Sequence, residues 1–192
     1  DIQAFTYNLE TKKGGSISRE FDPSINSAYW SNLEDVIFFD VIEKTKQNLY
    51  KYELNNKQFE KIDLQVEVLD NISFASENYS AIYKGSGAVT PEKLYYIDLK
   101  NNKSKLLLDL NENIFSSIKL GKVEDWDYTN SRGDEIDGLV YYPPDFDPNK
   151  KYPMMFLIHG GPQGAWEDNF HYRWNIQMFA GAGYVVVTPN PR

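Results

Sequence analysis

The octapeptide His159-Gly160-Gly161-Pro162-Gln163-Gly164-Ala165-Trp166 is the stretch of this sequence best suited to chemistry. It follows an apolar run, Met154-Met155-Phe156-Leu157-Ile158, and precedes a segment with helical spacing, so its glycines fall in a strand-to-helix loop. Such a loop aims backbone N–H groups at a ligand, and the missing Cβ atoms allow a close approach. Phosphate cradling would need a Gly-Lys-Ser/Thr ending or G-x-G-x-x-G spacing, and neither occurs. The better reading is a backbone donor for the oxyanion that develops when a carbonyl is attacked. Losing one such donor typically costs on the order of 3 kcal/mol of transition-state stabilisation.

The flanking elements must hold that loop still. A second apolar run, Tyr184-Val185-Val186-Val187, follows the helical segment, and two fully apolar strands around a helix predict a sheet buried on both faces, hence an α/β unit. Within the helical segment Asp168 or Asn169 is expected to cap the first turn, and Gly181 and Gly183 supply stop signals. Phe170, Trp174 and Met178 recur at i, i+4 and i+8 and are expected to pack as one stripe against the sheet; His171 falls on the same helix as a surface or interface residue. Upstream, residues 123–128 and 136–142 read as two strands joined by Asn130-Ser131-Arg132-Gly133-Asp134, with Pro143-Pro144 ending the hairpin.

Residues 1–121 follow another pattern. Ala4-Phe5-Thr6-Tyr7-Asn8-Leu9, Leu49-Tyr50-Lys51-Tyr52-Glu53-Leu54 and Leu94-Tyr95-Tyr96-Ile97-Asp98-Leu99 align with a period of 45 residues. Each copy is an alternating strand, a polar turn and a second short strand, which predicts an antiparallel hairpin per unit. Further strand candidates at Val36-Ile37-Phe38-Phe39 and at residues 79–83 bring the count to three or four strands per period. Repeats of this length and strand number suit β-propeller blades, with two complete units and part of another present; a β-sandwich with similar strands is the alternative.

Composition narrows the function. The 192 residues are 41% hydrophobic and 15% aromatic, enough for a substantial core. A net charge of -8 argues against nucleic acid and anionic membrane surfaces as partners. Eight acidic and three basic residues fall within 122–150 and read as a solvated connector. With no cysteine, disulfides, thiolate metal sites and a cysteine nucleophile are excluded and the redox compartment stays open. Neither an apolar run of transmembrane length nor a signal peptide is present, so a soluble chain is expected, in the cytoplasm, periplasm or outside the cell. Starting at Asp1 and stopping at Pro191-Arg192, directly after a strand-like run, the chain reads as a piece of a longer protein.

The oxyanion reading has a structural context, since the loop after the third strand of an α/β-hydrolase carries a histidine-glycine-glycine motif with this role. From Tyr152 onward the sequence, with Tyr-Pro before the strand, His159-Gly160-Gly161-Pro162, Trp174, Gly183-Tyr184-Val185-Val186 and Asn190-Pro191-Arg192, resembles the opening of the peptidase domain of the prolyl oligopeptidase family. His-Gly-Gly-Pro-Gln-Gly-Ala-Trp most resembles its dipeptidyl-peptidase V and acylaminoacyl-peptidase branches. The resemblance implies β-propeller blades over residues 1–121 followed by the N-terminal portion of an α/β-hydrolase domain over 122–192, a mixed β and α/β fold. It also implies a serine peptidase acting through an acyl-enzyme on short peptides, without metal or organic cofactor, with a homo-oligomer left open. Gly161 would supply an oxyanion-hole N–H, with His159 and Gly160 shaping the loop. Other branches carry a tyrosine where His159 stands and use its hydroxyl as a donor.

The catalytic triad is missing from this chain. No G-x-S-x-G elbow occurs; the look-alike Gly85-Ser86-Gly87 lies inside a repeat and reads as a loop, and both histidines, His159 and His171, precede the place of a nucleophile. The polypeptide alone is expected to be catalytically inactive. Two rivals to the peptidase reading are an esterase of the same fold and a non-catalytic binding protein built from a propeller and a degenerate hydrolase.

Overall fold

The computed structural model describes residues 2–32, 34–161 and 164–190, and it is mostly sheet. A hairpin of β1 (Phe5–Tyr7) and β2 (Gly14–Ser16) comes first. Next is an antiparallel meander of β3 (Ser24–Trp30), β4 (Val36–Glu43), β5 (Lys46–Glu53) and β6 (Gln58–Ile62). A second meander follows, β7 (Val68–Phe74), β8 (Ser80–Gly87), β9 (Thr90–Asp98) and β10 (Lys103–Leu108), joined to the first by one parallel pairing of Gln47 with Val68.

The 45-residue period is written in the turns. Lys12, Lys57 and Asn102 hold the same place in successive hairpins, and their φ values of 55°, 58° and 51° put all three in the left-handed region that a tight turn demands. Equivalent positions differ only in what covers them. Tyr52 and Ile97 are 3% and 0% exposed, whereas Tyr7 is 58% exposed, because β1–β2 has no inner strands beside it among the described residues.

β4 explains its own largely apolar sequence. Val36 and Phe38 face a core shared with Leu69, Tyr83, Tyr95 and Ile97 of the second meander. Ile37, Phe39 and Val41 alternate to the other side, where Phe21 and Phe59 stack at 4.0 Å. A strand covered on both faces is apolar at every position rather than at alternate ones. Its one interruption, Asp40, is 5% exposed and accepts from Asn26 Nδ2 at 2.8 Å and Gln47 Nε2 at 2.9 Å, and burial raises its carboxyl pKa above the ordinary value.

After a single helical turn, α1 (Glu112–Phe115), the third sheet begins. It contains β11 (Val123–Asp125), β12 (Tyr128–Thr129), β13 (Glu135–Tyr141), β14 (Met154–Phe156) and β15 (Val185–Asn190), in the order β11-β13-β15-β14 with β12 beside β13. β14 and β15 are parallel and the rest antiparallel, with α2 (Ile176–Gly181) in the crossover. Gly121, at the entry to this sheet, is clamped by Gln177 of α2: its N–H donates to Oε1 at 2.9 Å, and its carbonyl accepts from Nε2 at 3.0 Å. None of the helices among the described residues is long and apolar enough to cross a membrane.

Four sequence expectations need correction. The strand foreseen over 123–128 is two short strands, since Trp126 turns its N–H to Gly138 between them. Gly85-Ser86-Gly87 is the end of strand β8 and not a loop; a Cβ on Gly85 would lie 2.4 Å from the Val68 carbonyl, so the glycine is needed for strand pairing. β14 pairs with β15 alone among the described residues, which leave Met154 65% and Phe156 51% exposed rather than covered on both faces. Finally, the helix starts at Ile176, capped by Asn175 Oδ1 accepting from Gln177 N at 2.9 Å, and not at Asp168 or Asn169. Trp174 and Met178 are consequently 59% and 75% exposed, and the sheet is covered by Ile176, Phe179 and Ala180 instead.

Candidate active-site loop

The loop leaves β14 with its start fixed to the sheet, as Leu157 N–H donates to the Val187 carbonyl at 2.9 Å. Its far end is fixed by Trp166. The indole Nε1 donates to the Leu157 carbonyl at 3.2 Å, so one side chain ties the loop's end to its beginning. Asn190, the last residue of β15, completes the staple: Oδ1 accepts from Trp166 N at 2.6 Å, and Nδ2 donates to the Trp166 carbonyl at 3.0 Å and to Asp137 Oδ2 at 2.9 Å. Asn190 thereby acts as a short length of strand for a residue that has no strand neighbour.

Between these anchors Gly161 has φ 143°, a backbone state that L side chains avoid and glycine reaches freely. An ideal Cβ on Gly160 would meet no atom of the described residues within 4 Å. His159 donates from Nδ1 to the Gly160 carbonyl at 2.9 Å. In the neutral ring the proton is thus on Nδ1, and Nε2 is an acceptor shut off from solvent, with no hydrogen-bond partner among the described residues. Pro162 and Gln163 of the loop, like Pro191 and Arg192 of the terminal motif, lie outside the described residues.

Past the loop the chain crosses to the meanders. Asp168 N–H donates to the Thr45 carbonyl at 2.7 Å, and its Oδ1 accepts from Ala88 N at 2.8 Å. Phe170 N–H reaches Ser86 Oγ at 3.3 Å. His171 lies in the turn before α2 and not on the helix, where its Nδ1 accepts from the N–H groups of Arg173 and Trp174 at 3.1 and 3.0 Å. Loop, crossing and helix together enclose a cleft of about 530 Å³, whose lining includes His159, Gly160, Trp166, Glu167, His171 and Trp174.

Burial raises the Asp168 carboxyl pKa above its ordinary value, only partly offset by the Ala88 N–H. The folded state therefore holds this proton more readily than the unfolded state, and stability falls as pH rises from the ordinary carboxylate value through the raised one. Asp168→Ala strands the N–H of Ala88, a residue 3% exposed, and is expected to destabilise by about 1–3 kcal/mol in urea titrations. Asp168→Asn keeps an acceptor oxygen, and it is expected to be near neutral while flattening the acid-range slope.

Of the residues that sequence reasoning picked out, His159 and Gly160 line this cleft, and Gly161 follows them in the loop. That reasoning missed the staple of Asn190 and Asp137, and the cleft residue Glu167. The signal for Asn190 was a polar side chain closing an otherwise apolar strand.

No family model matches the chain. A probable dipeptidyl-peptidase 5 of Emericella nidulans is 35% identical over 97% of this chain and 26% of its own length. Dipeptidyl-peptidase 5 of Porphyromonas gingivalis is 27% identical over 97% of this chain and 27% of its own. Among solved structures, the Pyrococcus horikoshii acylaminoacyl peptidase superposes with a TM-score of 0.76 at 26% identity, covering 94% of this chain and 27% of that one. The chain thus spans about a quarter of the length of the relatives it matches. Sequence relatives and structural neighbours of one kind, found over nearly all of its residues, place the chain in the prolyl oligopeptidase family of peptidases, with the dipeptidyl-peptidase and acylaminoacyl-peptidase branches.

Proposed function

We propose that this chain is part of a serine-type peptidase that cleaves short peptides through an acyl-enzyme, in which the Gly161 N–H helps hold the oxyanion. The observation that carries the reading is the φ of 143° at Gly161, in a loop pinned at both ends to parallel strands. A preorganised N–H in such a site stabilises charge as it develops and needs no rearrangement during the reaction. His159 and Gly160 shape the loop. With the Nδ1 proton given to Gly160, the neutral imidazole has no proton left for an oxyanion, so His159 holds the loop rather than donating to the substrate.

The same reading divides the chain. Residues 1–121 are the last blades of a β-propeller, supported by two four-stranded meanders in step with a 45-residue repeat. Residues 122–192 open an α/β-hydrolase domain, supported by the order β11-β13-β15-β14 and the parallel pair around α2. The nucleophilic serine, its histidine and its acid belong to the rest of the protein, in the order Ser, Asp or Glu, His. The test is to treat the full-length protein with a fluorophosphonate and follow hydrolysis of a peptide amide beside a simple aryl ester. Loss of amide hydrolysis with one covalent adduct is expected. Ester hydrolysis without amide hydrolysis would make the protein an esterase, and full activity after treatment would end the serine reading.

A further inference from the structure

We propose that Asp168 is a positioning residue for the reaction, holding the exit of the oxyanion loop against the two meanders so that the Gly161 N–H keeps its place. The proposal rests on the peptidase reading above and gives Asp168 no contact with substrate.

The loop is stapled to the sheet at Trp166, and the chain runs two residues further before it meets the meanders. There Asp168 joins two turns, one from each meander. Its N–H donates to the carbonyl of Thr45, between β4 and β5, at 2.7 Å, and its Oδ1 accepts from the N–H of Ala88, between β8 and β9, at 2.8 Å. Thr45 and Ala88 are 2% and 3% exposed, so neither backbone group can turn to water instead. Phe170 adds a second attachment, with its N–H on Ser86 Oγ at 3.3 Å and its ring edge-on to Phe115 of α1, centroids 5.2 Å apart. Among these hydrogen bonds, the one to Ala88 is made by a side chain of the crossing, so a substitution at Asp168 removes it and leaves the backbone bonds in place.

A shift at Asp168 reaches the loop. Two residues of extended chain span at most about 7 Å, so the crossing has little slack with which to absorb it. Trp166 takes up the movement, and it holds the loop's end through Asn190 and the loop's start through the Leu157 carbonyl. A misplacement of about 1 Å can cost on the order of 100-fold in rate. Because the staple itself survives, the loss from Asp168 is smaller than that from displacing the donor outright.

The test measures kcat and KM for a peptide amide with the full-length protein and its Asp168→Ala and Asp168→Asn variants, kcat being expressed per site titrated by a fluorophosphonate so that unfolded molecules do not count. Asp168→Ala should lower kcat by roughly 5- to 30-fold with KM within about threefold of wild type, and Asp168→Asn, which keeps an acceptor for Ala88, should bring kcat back to within about threefold. Val41→Ala is the control for instability: Val41 is 0% exposed in the first meander's core, and its variant is expected to melt lower with wild-type kcat. Wild-type kcat in Asp168→Ala, a loss in Asp168→Asn as large as in Asp168→Ala, or an equal loss in Val41→Ala would each overturn the proposal. If Asp168→Ala does not fold, Ser86→Ala takes its place by freeing the Phe170 N–H; a fall in kcat of roughly two- to fivefold is expected, and an unchanged kcat overturns the proposal. Failure of the peptidase reading looks different, because the wild-type protein would then cleave no peptide amide and take no fluorophosphonate adduct.

Discussion

Gly121→Ala is expected to be the most damaging single substitution in this chain, lowering stability by at least about 3 kcal/mol. An ideal Cβ at this position would lie 1.7 Å from the Tyr142 carbonyl oxygen and 2.9 Å from its carbon, both backbone atoms that no rotamer change can move. Relief requires a shift of Gly121 or of the strand end at Tyr142, and either displaces the pair of hydrogen bonds to Gln177, which is 6% exposed and has no water to turn to. The loss would appear as a lower urea midpoint in the full-length protein, with no comparable effect for Gly133→Ala at φ 86°, where a Cβ meets no atom within 4 Å and only the turn is strained. If the two variants melted alike, the close approach at Gly121 would have no energetic weight.

The second large effect falls on activity. Gly161→Ala keeps the N–H but forces a side chain into φ 143° and adds a Cβ beside the proposed oxyanion position. The N–H must then turn or the loop must shift, and a displaced oxyanion donor typically costs about 10²–10³ in kcat. Because Trp166 and Asn190 anchor the loop from outside, the variant is expected to fold with nearly wild-type stability. Steady-state kinetics with kcat and KM separated, beside a thermal melt, check this. A fall in kcat with KM nearly constant is the expected pattern, and wild-type kcat would remove Gly161 from the machinery.

Some of this was legible in the sequence because it is local. The hairpins at residues 49–62 and 94–108 could be read from alternation and turn residues, since a strand's pattern depends on which face is covered, and that cover repeats every 45 residues. The glycine loop was legible because glycine marks a backbone requirement directly, as at Gly161.

The misread stretch is 166–175, where the i, i+4 spacing of Phe170 and Trp174 imitates a helix. There the backbone N–H groups of Asp168 and Phe170 go to Thr45 and Ser86, partners about 120 and 84 positions away that no local window contains. Those long-range bonds override helical propensity, and the helix begins only where Asn175 can cap it. The cover of a strand is equally non-local. Met154-Met155-Phe156 looked like the centre of a buried sheet, but among the described residues β15 is its one strand neighbour. Asn190 and Glu167 were hidden for a third reason, since an amide clamp and a cleft carboxylate are ordinary surface residues until the fold sets them beside the loop.

Service of a serine nucleophile by this loop is tested most directly by the intact mass of the full-length protein before and after fluorophosphonate treatment. One adduct, mapped to a serine in a G-x-S-x-G sequence, together with loss of peptide-amide hydrolysis, is the predicted result. A protein that hydrolyses peptide amides and gains no adduct would contradict it, and would leave the pinned loop around Gly161 without the oxyanion it is proposed to hold.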